Sequence, residues 1–396
     1  MSVDELPIGR RVAQWRVRRR MTQQMLADRL GKSKSWVDKV ERGVRNLDRF
    51  SVLRDLAEVL RVDPAVLLGG SPPPATEGAS GVEAVRAALA RYDFGPAGPT
   101  HRPAPPTAEL DRRVGHAWLT YQHGHYPQLL RMLPDLLGAA QRAHAGQPEH
   151  AAEPLVQVYR VTASVLVKLG EAECAWLAAD RAVAVAAGDP LRAAVAAIPL
   201  GQALRALGRG RSAMAATVAA AHRIAPPVPH EGPPDELSVL GTLLLQAALA
   251  AAGCGDARSV GELVDQAGEI AEQLGDGRDH HWTTFGPTTV ELARVAAAVD
   301  LGDAGEAITR HRDAVGREQW RRLPAEHRAA HLVDAARAYL LVGDLAAAGR
   351  VLVEADRTAP AEIRSRPVAR TVISAVVRGG PARAGVAHLA SLLGVT

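Results

Sequence analysis

The stretch that decides the fold of the N-terminal part is Met21–Gly43, MTQQMLADRLGKSKSWVDKVERG. Its apolar residues recur at helical spacing on both sides of Gly31, which predicts two short helices joined by a tight turn. Thr22 is a suitable N-cap for the first helix, and Gly31 can adopt the left-handed conformation that ends it. The second helix begins at Ser33 or Lys34.

The second helix has one apolar side and one polar side. Val37 and Val40 are predicted to face inward, beside Leu26 and Leu30 of the first helix. Four residues share the outward side and are polar or basic: Lys34, Ser35, Lys39 and Arg42. Two helices related in this way form a helix-turn-helix.

This stretch resembles the phage-repressor and Cro-like family, also called the xenobiotic-response-element (XRE) family. The family pattern reads T-Q-x-x-L-A-x-x-L-G, then S-x-S-x-V, then E-R-G. It is matched at Thr22, Gln23, Leu26, Ala27, Leu30, Gly31, Ser33, Ser35, Val37, Glu41, Arg42 and Gly43. The resemblance covers about 65 residues and implies a small helical DNA-binding domain over residues 1–70.

The resemblance also implies which side chains contact DNA. Lys34, Ser35 and Lys39 are expected to face base edges in the major groove, with Ser33 and Trp36 beside them. Trp36 has an alternative, which is to fill a crevice against the first helix of the domain.

Contacts with the DNA backbone are implied for three further residues. Gln23 is expected to hold a phosphate, and Arg42 and Arg45 to touch the backbone. The cationic run at residues 16–20 is interpreted as a solvated face, with phosphate attraction as the alternative. For all of these charges, the competing interpretation is a solvated surface on a small helical bundle.

The distribution of charge supports a reader of a polyanion. Residues 1–70 contain 15 Lys and Arg against nine Asp and Glu, whereas the remainder contains 32 against 34. Three of the four lysines, Lys32, Lys34 and Lys39, lie within the proposed motif. A basic domain joined to a near-neutral body is typical of a nucleic-acid-binding module attached to a second function.

Residues 71–110 are interpreted as a linker. They contain two Pro-rich stretches that cannot continue a helix. Between these stretches, Val82–Tyr92 has the spacing of a short amphipathic helix. This helix is expected to dock on either domain or on a partner subunit.

Residues 111–396 are predicted to form an all-α solenoid that resembles tetratricopeptide (TPR) repeats. No long alternating strand pattern occurs, and turn glycines recur every 38 to 47 residues, at Gly124, Gly170, Gly208, Gly255, Gly302 and Gly343. The clearest unit is 336–360, and the tail after Arg364 is interpreted as a capping pair of helices. Such a superhelix has a concave groove, which we expect to be lined mainly by Ala, Leu and Val.

Two aromatic clusters depart from this Ala-rich background. The first is the candidate effector site, and its residues are His280, His281, Trp282, Thr283, Phe285 and Thr288. Its alternative is a packed cap of the helix that follows, with Pro287 in the first turn. The second cluster lies at 118–126 and is a weaker candidate.

Several function classes have little support in the sequence. Cys174 and Cys254 have no partners at ligand spacing, so neither a metal site nor a disulfide framework is predicted. No catalytic or cofactor-binding motif is complete, so we predict no enzyme and no cofactor. No apolar run without charges or Pro reaches the roughly 18 residues that cross a bilayer, which predicts a cytoplasmic, nucleoid-associated protein without a membrane partner.

The sequence therefore favours a transcription regulator that binds double-stranded operator DNA as a homodimer. Its layout is similar to that of peptide-pheromone-sensing regulators, whose repeat domain dimerises and binds an effector. The implied effector is a small molecule or a peptide. The alternative is a TPR interaction scaffold with secondary DNA binding, and an enzyme with an appended DNA-binding domain is the third class.

Overall fold

The chain folds as two units, residues 1–80 and residues 81–396. The structure is a computed structural model, and it describes residues 8–19, 21–44, 52, 55–56, 59–60, 77–91, 105–186, 188–228, 231–380 and 384–395. Within these residues every regular element is a helix and no strand occurs. The predicted all-α fold class is confirmed.

Three helices of the first unit pack around a small apolar core: α1 (Ile8–Arg18), α2 (Gln23–Leu30) and α3 (Lys34–Glu41). The fully or nearly fully buried side chains of this core are Val12, Met21, Leu26, Ala27, Val37, Leu56 and Leu60. Helices α2 and α3 and the turn between them lie where the sequence predicts them.

Helix α1 approaches the C-terminal end of α3 very closely. A Cβ atom added to Gly9 would lie 2.1 Å from the carbonyl oxygen of Val40. Only glycine allows the two backbones to come this close, which ties α1 to the helix that carries the predicted DNA contacts.

The second unit consists of helices joined by short turns. In chain order they are α4 (Glu77–Leu89, which begins before the boundary between the units), α5 (Thr107–Gln122), α6 (Tyr126–Gly146), α7 (Pro148–Lys168), α8 (Ala172–Val185), α9 (Pro190–Ala206), α10 (Gly210–Ile224), α11 (Pro234–Ala252), α12 (Ala257–Leu274), α13 (Pro287–Leu301), α14 (Ala304–Gly316), α15 (Ala325–Leu341), α16 (Leu345–Thr358), α17 (Pro360–Arg364), α18 (Pro367–Arg378) and α19 (Ala384–Leu392). Two short 3₁₀ helices lie at His280–Trp282 and Glu318–Arg322.

These helices form two layers, as expected of a TPR-like solenoid. The inner helices α5, α7, α9, α11, α13 and α15 each contact the next inner helix, and α6, α8, α10, α12, α14 and α16 pack outside them. All six turn glycines predicted from the sequence have a positive φ, between 71° and 85°. Glycine is required there because the left-handed conformation ends one helix and reverses the chain.

The repeat unit predicted over residues 336–360 has the expected form. Helix α15, a turn at Gly343 and helix α16 follow one another, and Pro360 begins α17. Asp344 is the N-cap of α16, and its side chain accepts a hydrogen bond from the backbone N–H of Ala347 at 2.8 Å. The predicted C-terminal pair corresponds to α18 and α19, which pack against each other.

The solenoid closes on itself. The last inner helix, α15, contacts the first, α5. Two buried polar contacts cross the same seam, between Lys168 and Glu326 and between Tyr126 and Glu362. The inner helices therefore surround a central space instead of lining an open groove.

Helix α4 docks on the second unit. Its Arg86 forms an ion pair with Glu171 at 2.7 Å. Its apolar side is buried in the core of this unit through Val82, Val85, Ala88 and Leu89. The apolar side of α4 is therefore covered within its own chain and is not available to a partner subunit.

One helix in the described part of the chain, α11, is long and apolar enough to cross a membrane. Its first turn contains Pro234, Asp235 and Glu236, so it is not a run without charges or Pro. Since 78% of this stretch is buried inside the second unit, α11 has the properties of a core helix.

Candidate functional site

Helix α3 presents a polar and basic side to solvent. Lys34, Ser35 and Lys39 are exposed, whereas Val37 and Val40 are buried. In the described part of the chain, neither Lys34 nor Lys39 has an ion-pair partner. No described carboxylate therefore neutralises these two lysines.

The turn that positions α3 is fixed by its caps. Thr22 Oγ1 accepts a hydrogen bond from the Met25 backbone N–H, and Ser33 Oγ accepts one from Trp36 N–H, both at 3.1 Å. Gly31 ends α2 with φ of 61°. These contacts satisfy backbone donors at both helix starts, so the exposed polar positions of α3 follow a rigid turn. Ser33 serves here as the N-cap of α3.

Trp36 lies half-buried and packs against the apolar core of the first unit. This placement is the one described by the packing alternative. A contact of Trp36 with DNA remains a prediction.

Glu41 is a buried acceptor that joins all three helices. Arg16 Nε and Nη2 donate to its two carboxylate oxygens at 2.6 and 3.1 Å, and Gln23 Nε2 donates at 2.8 Å. Arg16 also donates to the carbonyl of Met21 at 2.8 Å. The interpretation of Arg16 as a solvated cation is therefore wrong. Gln23, the predicted phosphate ligand, is oriented by this same network.

Arg42 and Arg45 are the other two residues that are predicted to contact the DNA backbone. Arg42 is exposed and forms a surface ion pair with Asp38 at 3.0 Å. Such a pair is weak and can exchange for a phosphate. Arg45 lies outside the described residues.

A cavity of about 370 Å³ lies on the inner side of the second unit. All six inner helices contribute to its lining. The expectation of an Ala, Leu and Val surface is wrong, because the lining includes many charged side chains. Among them are Arg160, Lys168, Arg205, Asp300, Arg337 and Arg366.

The two aromatic clusters meet at this cavity. Trp118 of α5 and Trp282 stack with ring centroids 6.1 Å apart and an interplanar angle of 8°. Tyr121 meets Trp118 edge-on at 5.7 Å. All three line the cavity. The weaker candidate cluster at 118–126 and the stronger one at 280–288 are thus parts of one wall.

The segment before α13 has an unusual backbone. His281, Trp282 and Thr284 have φ of 50°, 61° and 50°. The left-handed region costs of order 1–3 kcal/mol for such residues and persists only where the surroundings impose it. Here Thr284 N–H donates to Asp279 Oδ1 at 2.8 Å, and Asp279 Oδ2 accepts from Gln122 Nε2 at 2.6 Å.

Of the six predicted effector residues, only Trp282 and Thr283 line the cavity. Phe285 is buried, and its ring lies over Gly241, where a Cβ atom would be 2.0 Å from the ring. Thr288 is also buried and donates to Asp276 Oδ2 at 2.6 Å. These two side chains have the placement that the packed-cap alternative describes.

His280 and His281 do not line the cavity with their side chains. His280 Nε2 is buried without a hydrogen-bond partner, and burial lowers the pKa of His281. The contribution of His281 is its backbone carbonyl, which accepts hydrogen bonds from Arg160. In the described part of the chain no group of three or more His, Cys, Asp or Glu is arranged to hold a metal ion.

A buried charge cluster, which we call the clasp, closes the ring beside the cavity. It consists of Lys168, Glu326, Glu362 and Arg366, with ion pairs from Lys168 to both glutamates and from Arg366 to Glu362. Burial alone would raise the pKa of Glu326, but Lys168 and His327 hold that pKa well below its usual range. The clasp therefore remains ionised and internally neutral.

Sequence reasoning missed the cavity's cations. Arg337 binds Asp300 and Asp334 at 2.8 and 3.1 Å. Arg205 and Arg160 line the same space without a carboxylate partner among the described residues. In the sequence, these charged residues interrupt the apolar pattern of the first helix of each repeat. They cannot be told apart from surface charges until the inner face of the solenoid is known.

Comparison with known proteins agrees with the architecture of the first unit. Residues 7–68 match a family described as a helix-turn-helix domain. The first unit is thus a helix-turn-helix domain, and the chain as a whole joins it to a TPR-like α-solenoid. No curated protein sequence matches the chain.

The solved structures that are similar to this chain include the following two. One is a mutant of PrgX, with 9% identity, a TM-score of 0.33 and coverage of 84% of this chain and 94% of that one. The other is PlcR of Bacillus thuringiensis in complex with the peptide PapR7 and DNA, with 14% identity, a TM-score of 0.24 and coverage of 78% and 99%.

Proposed function

We propose that this protein is a sequence-specific DNA-binding transcription regulator of XRE type that acts in the cytoplasm. The observation that carries the proposal is the exposed side of α3. Lys34 and Lys39 have no described carboxylate partner, and they lie on a helix whose start is fixed by the Ser33 cap. A rigid basic helix following a tight turn is the geometry that enters a major groove.

The same proposal includes a homodimer. A single helix-turn-helix contacts only one half-site, and discrimination against a genome requires two half-sites about one helical turn apart, or a multiple of it. Because the apolar side of α4 is covered within its own chain, the surface of the solenoid is the expected source of the dimer contact.

We further propose that the solenoid controls DNA binding through an effector held in the central cavity. The cavity has an aromatic wall to hold an apolar group and charged side chains that can orient a polar one, which are the two kinds of contact that ligand sites use. The closed ring favours this role over a scaffold, because the inner face is accessible to a small ligand but not to a folded partner. The ligand acts by preferring one arrangement of the two helix-turn-helix units.

The test of DNA recognition is footprinting on the protein's own upstream region. We expect two protected half-sites separated by one or more helical turns. Lys39→Ala should weaken binding to this site by about 1–3 kcal/mol, because it removes a base contact. Arg10→Ala is the matched control, since Arg10 is also an exposed cation of the first unit but lies on α1.

The control variant loses one positive charge without touching α3, so it should lower specific and non-specific binding only slightly. If Lys39→Ala and Arg10→Ala bind the site equally well, α3 is not the recognition helix. If no upstream fragment is protected by the wild-type protein, the regulatory role itself is wrong.

A further inference from the structure

Arg160 is the most deeply buried cation of the cavity wall, with only 2% of the residue exposed. Its Nη1 donates to Gln157 Oε1 at 2.7 Å, and both Nη1 and Nη2 donate to the carbonyl oxygen of His281 at 3.2 Å. The guanidinium also lies 5.0 Å from the ring centroid of Trp118. Every one of these partners is formally neutral.

One edge of this guanidinium has no protein acceptor. Nε is buried and has no hydrogen-bond partner, and Nη2 uses a single donor, toward His281. The remaining N–H of Nη2 and the N–H of Nε are the pair that a carboxylate or another oxyanion engages in bidentate fashion. Arg160 lines the cavity, and these two N–H groups have no acceptor among the described residues.

Among the described residues no carboxylate forms an ion pair with Arg160. Burial lowers its pKa to about 10, and the charges of Glu153 and Asp279 oppose this shift only in part. A buried cation without an anionic partner is costly, and an anionic ligand bound beside it offsets that cost. Gln157 and the carbonyl of His281 hold the guanidinium in place, but they are neutral and do not offset the cost of burying its charge.

Arg205 is a second, half-buried cation of the cavity, on the neighbouring inner helix α9. It lines the cavity, and its side chain forms no hydrogen bond or ion pair among the described residues. The nearest carboxylates, Asp300 and Asp334, are both bound by Arg337. By contrast, Lys168 and Arg366 are neutralised within the clasp.

We propose that the cavity is an anion-binding site for a small molecule that combines an oxyanion group with an aromatic or other apolar body. The oxyanion bonds to Arg160, with Arg205 adding attraction from α9, and the apolar body lies against Trp282. At about 370 Å³ the cavity is at the lower end of the range for small-molecule pockets, roughly 300–1,000 Å³, and is too small for a long extended peptide. This inference rests on the proposed function in that it names the chemical class of the effector.

The experiment uses two fluorescent probes that differ only in the anion. Anilinonaphthalene sulfonate carries an oxyanion on an aromatic body, and N-phenylnaphthylamine is the same body without it. The full-length wild-type protein should bind the sulfonate in saturable fashion and at least about tenfold more tightly than the neutral probe. That ratio is the one expected for a charge-assisted contact with a buried guanidinium.

Three variants locate the site: Arg160→Met, Arg205→Met and, as control, Arg350→Met. Arg350 is exposed on the outer helix α16, so its variant removes an equal charge far from the cavity. Each cavity variant should lose sulfonate affinity by about tenfold while keeping its affinity for the neutral probe. The control should bind both probes as the wild type does. Circular dichroism checks folding, and Arg205→Met keeps the test valid if Arg160→Met unfolds.

Equal affinity of the wild type for both probes, or unchanged sulfonate affinity in Arg205→Met, would overturn the proposal. Because no DNA is present, the outcome is separate from the footprinting result. A protein that fails to protect DNA but discriminates between the probes keeps its anion site and loses its regulatory role. The opposite pair of results leaves a DNA-binding protein whose effector is not an anion.

Discussion

The surface of α3 and the central cavity differ in how far apart along the chain their parts lie. The exposed polar positions of α3 fall within residues 34–39, and Glu41 joins partners 18 and 25 residues away. The cavity depends on contacts such as Lys168 to Glu326, which are 158 residues apart. A short sequence motif can therefore specify the first surface, whereas the second exists only after the solenoid has closed.

The largest expected effect tests that long-range closure. Glu362 is completely buried and accepts from Tyr126, Lys168 and Arg366. Glu362→Gln keeps the side-chain volume but removes the carboxylate that Lys168 and Arg366 share. We therefore expect a loss of roughly 3–5 kcal/mol in the free energy of unfolding. Urea denaturation followed by far-ultraviolet circular dichroism measures it.

Glu354→Gln is the matched control for this prediction. Glu354 lies exposed on α16, and its replacement should change the free energy of unfolding by less than about 0.5 kcal/mol. Equal stability of the two variants would mean that the ring does not depend on its clasp.

The second prediction tests the local network of the first unit. Glu41→Ala leaves Arg16 without its buried partner, and we expect the unit to lose about 2–3 kcal/mol, somewhat less than a fully buried pair because Arg16 keeps 14% side-chain exposure. Hydrogen exchange of peptides within residues 8–44 should show protection reduced by roughly 30- to 100-fold.

Asp38→Ala, on the same helix, provides the comparison. Asp38 pairs with Arg42 at the surface, where such pairs contribute little. In the Asp38→Ala variant, the hydrogen-exchange protection of the same peptides should stay within about threefold of the wild type. A similar loss in both variants would show that the burial of Glu41 is not what holds α1, α2 and α3 together.

The smallest effect concerns a buried pair of imidazoles on α14 and α15. His311 Nδ1 and His331 Nε2 lie 3.0 Å apart, between Trp320 and Tyr339. Burial lowers the pKa of His331 to about 3 and that of His311 to about 4. The unfolded chain, with a pKa of about 6.5, takes up protons first as the pH falls. The stability contribution is thus complete above about pH 6.5 and is lost as the pH falls toward 4.

When the pH is lowered from about 7 to 6, this pair should reduce the free energy of unfolding of the wild-type protein by about 1 kcal/mol. A double variant, His311→Gln and His331→Gln, should lose less over the same interval. Urea denaturation at the two pH values measures the difference, and an equal loss in both proteins would contradict the buried-neutral state of the pair.

Local features of the fold were predictable from the sequence. Thr22, Ser33 and Gly31 act as caps where the motif places them, and all six turn glycines adopt the predicted conformation. The reason is that a cap or a left-handed turn depends on the residue and its nearest neighbours along the chain.

Features that depend on burial were less predictable. Phe285 belongs to the same short aromatic segment as Trp282, yet it packs on Gly241 while Trp282 reaches the cavity. Arg16 is paired inside the first unit, although it belongs to a run of arginines that reads as a solvated face. A sequence pattern gives the side of a helix but not which neighbour covers that side.

The sequence by itself determined the helix-turn-helix, its basic outer side and the repeating pairs of helices, because each depends on residues a few positions apart. Only the tertiary structure decided that the solenoid closes into a ring, that Trp118 stacks on Trp282, and that Arg160 is buried beside them without an anion. The physical reason is that small rotations between successive repeats add up along the superhelix. Which distant side chains meet depends on that sum, and no single repeat encodes it.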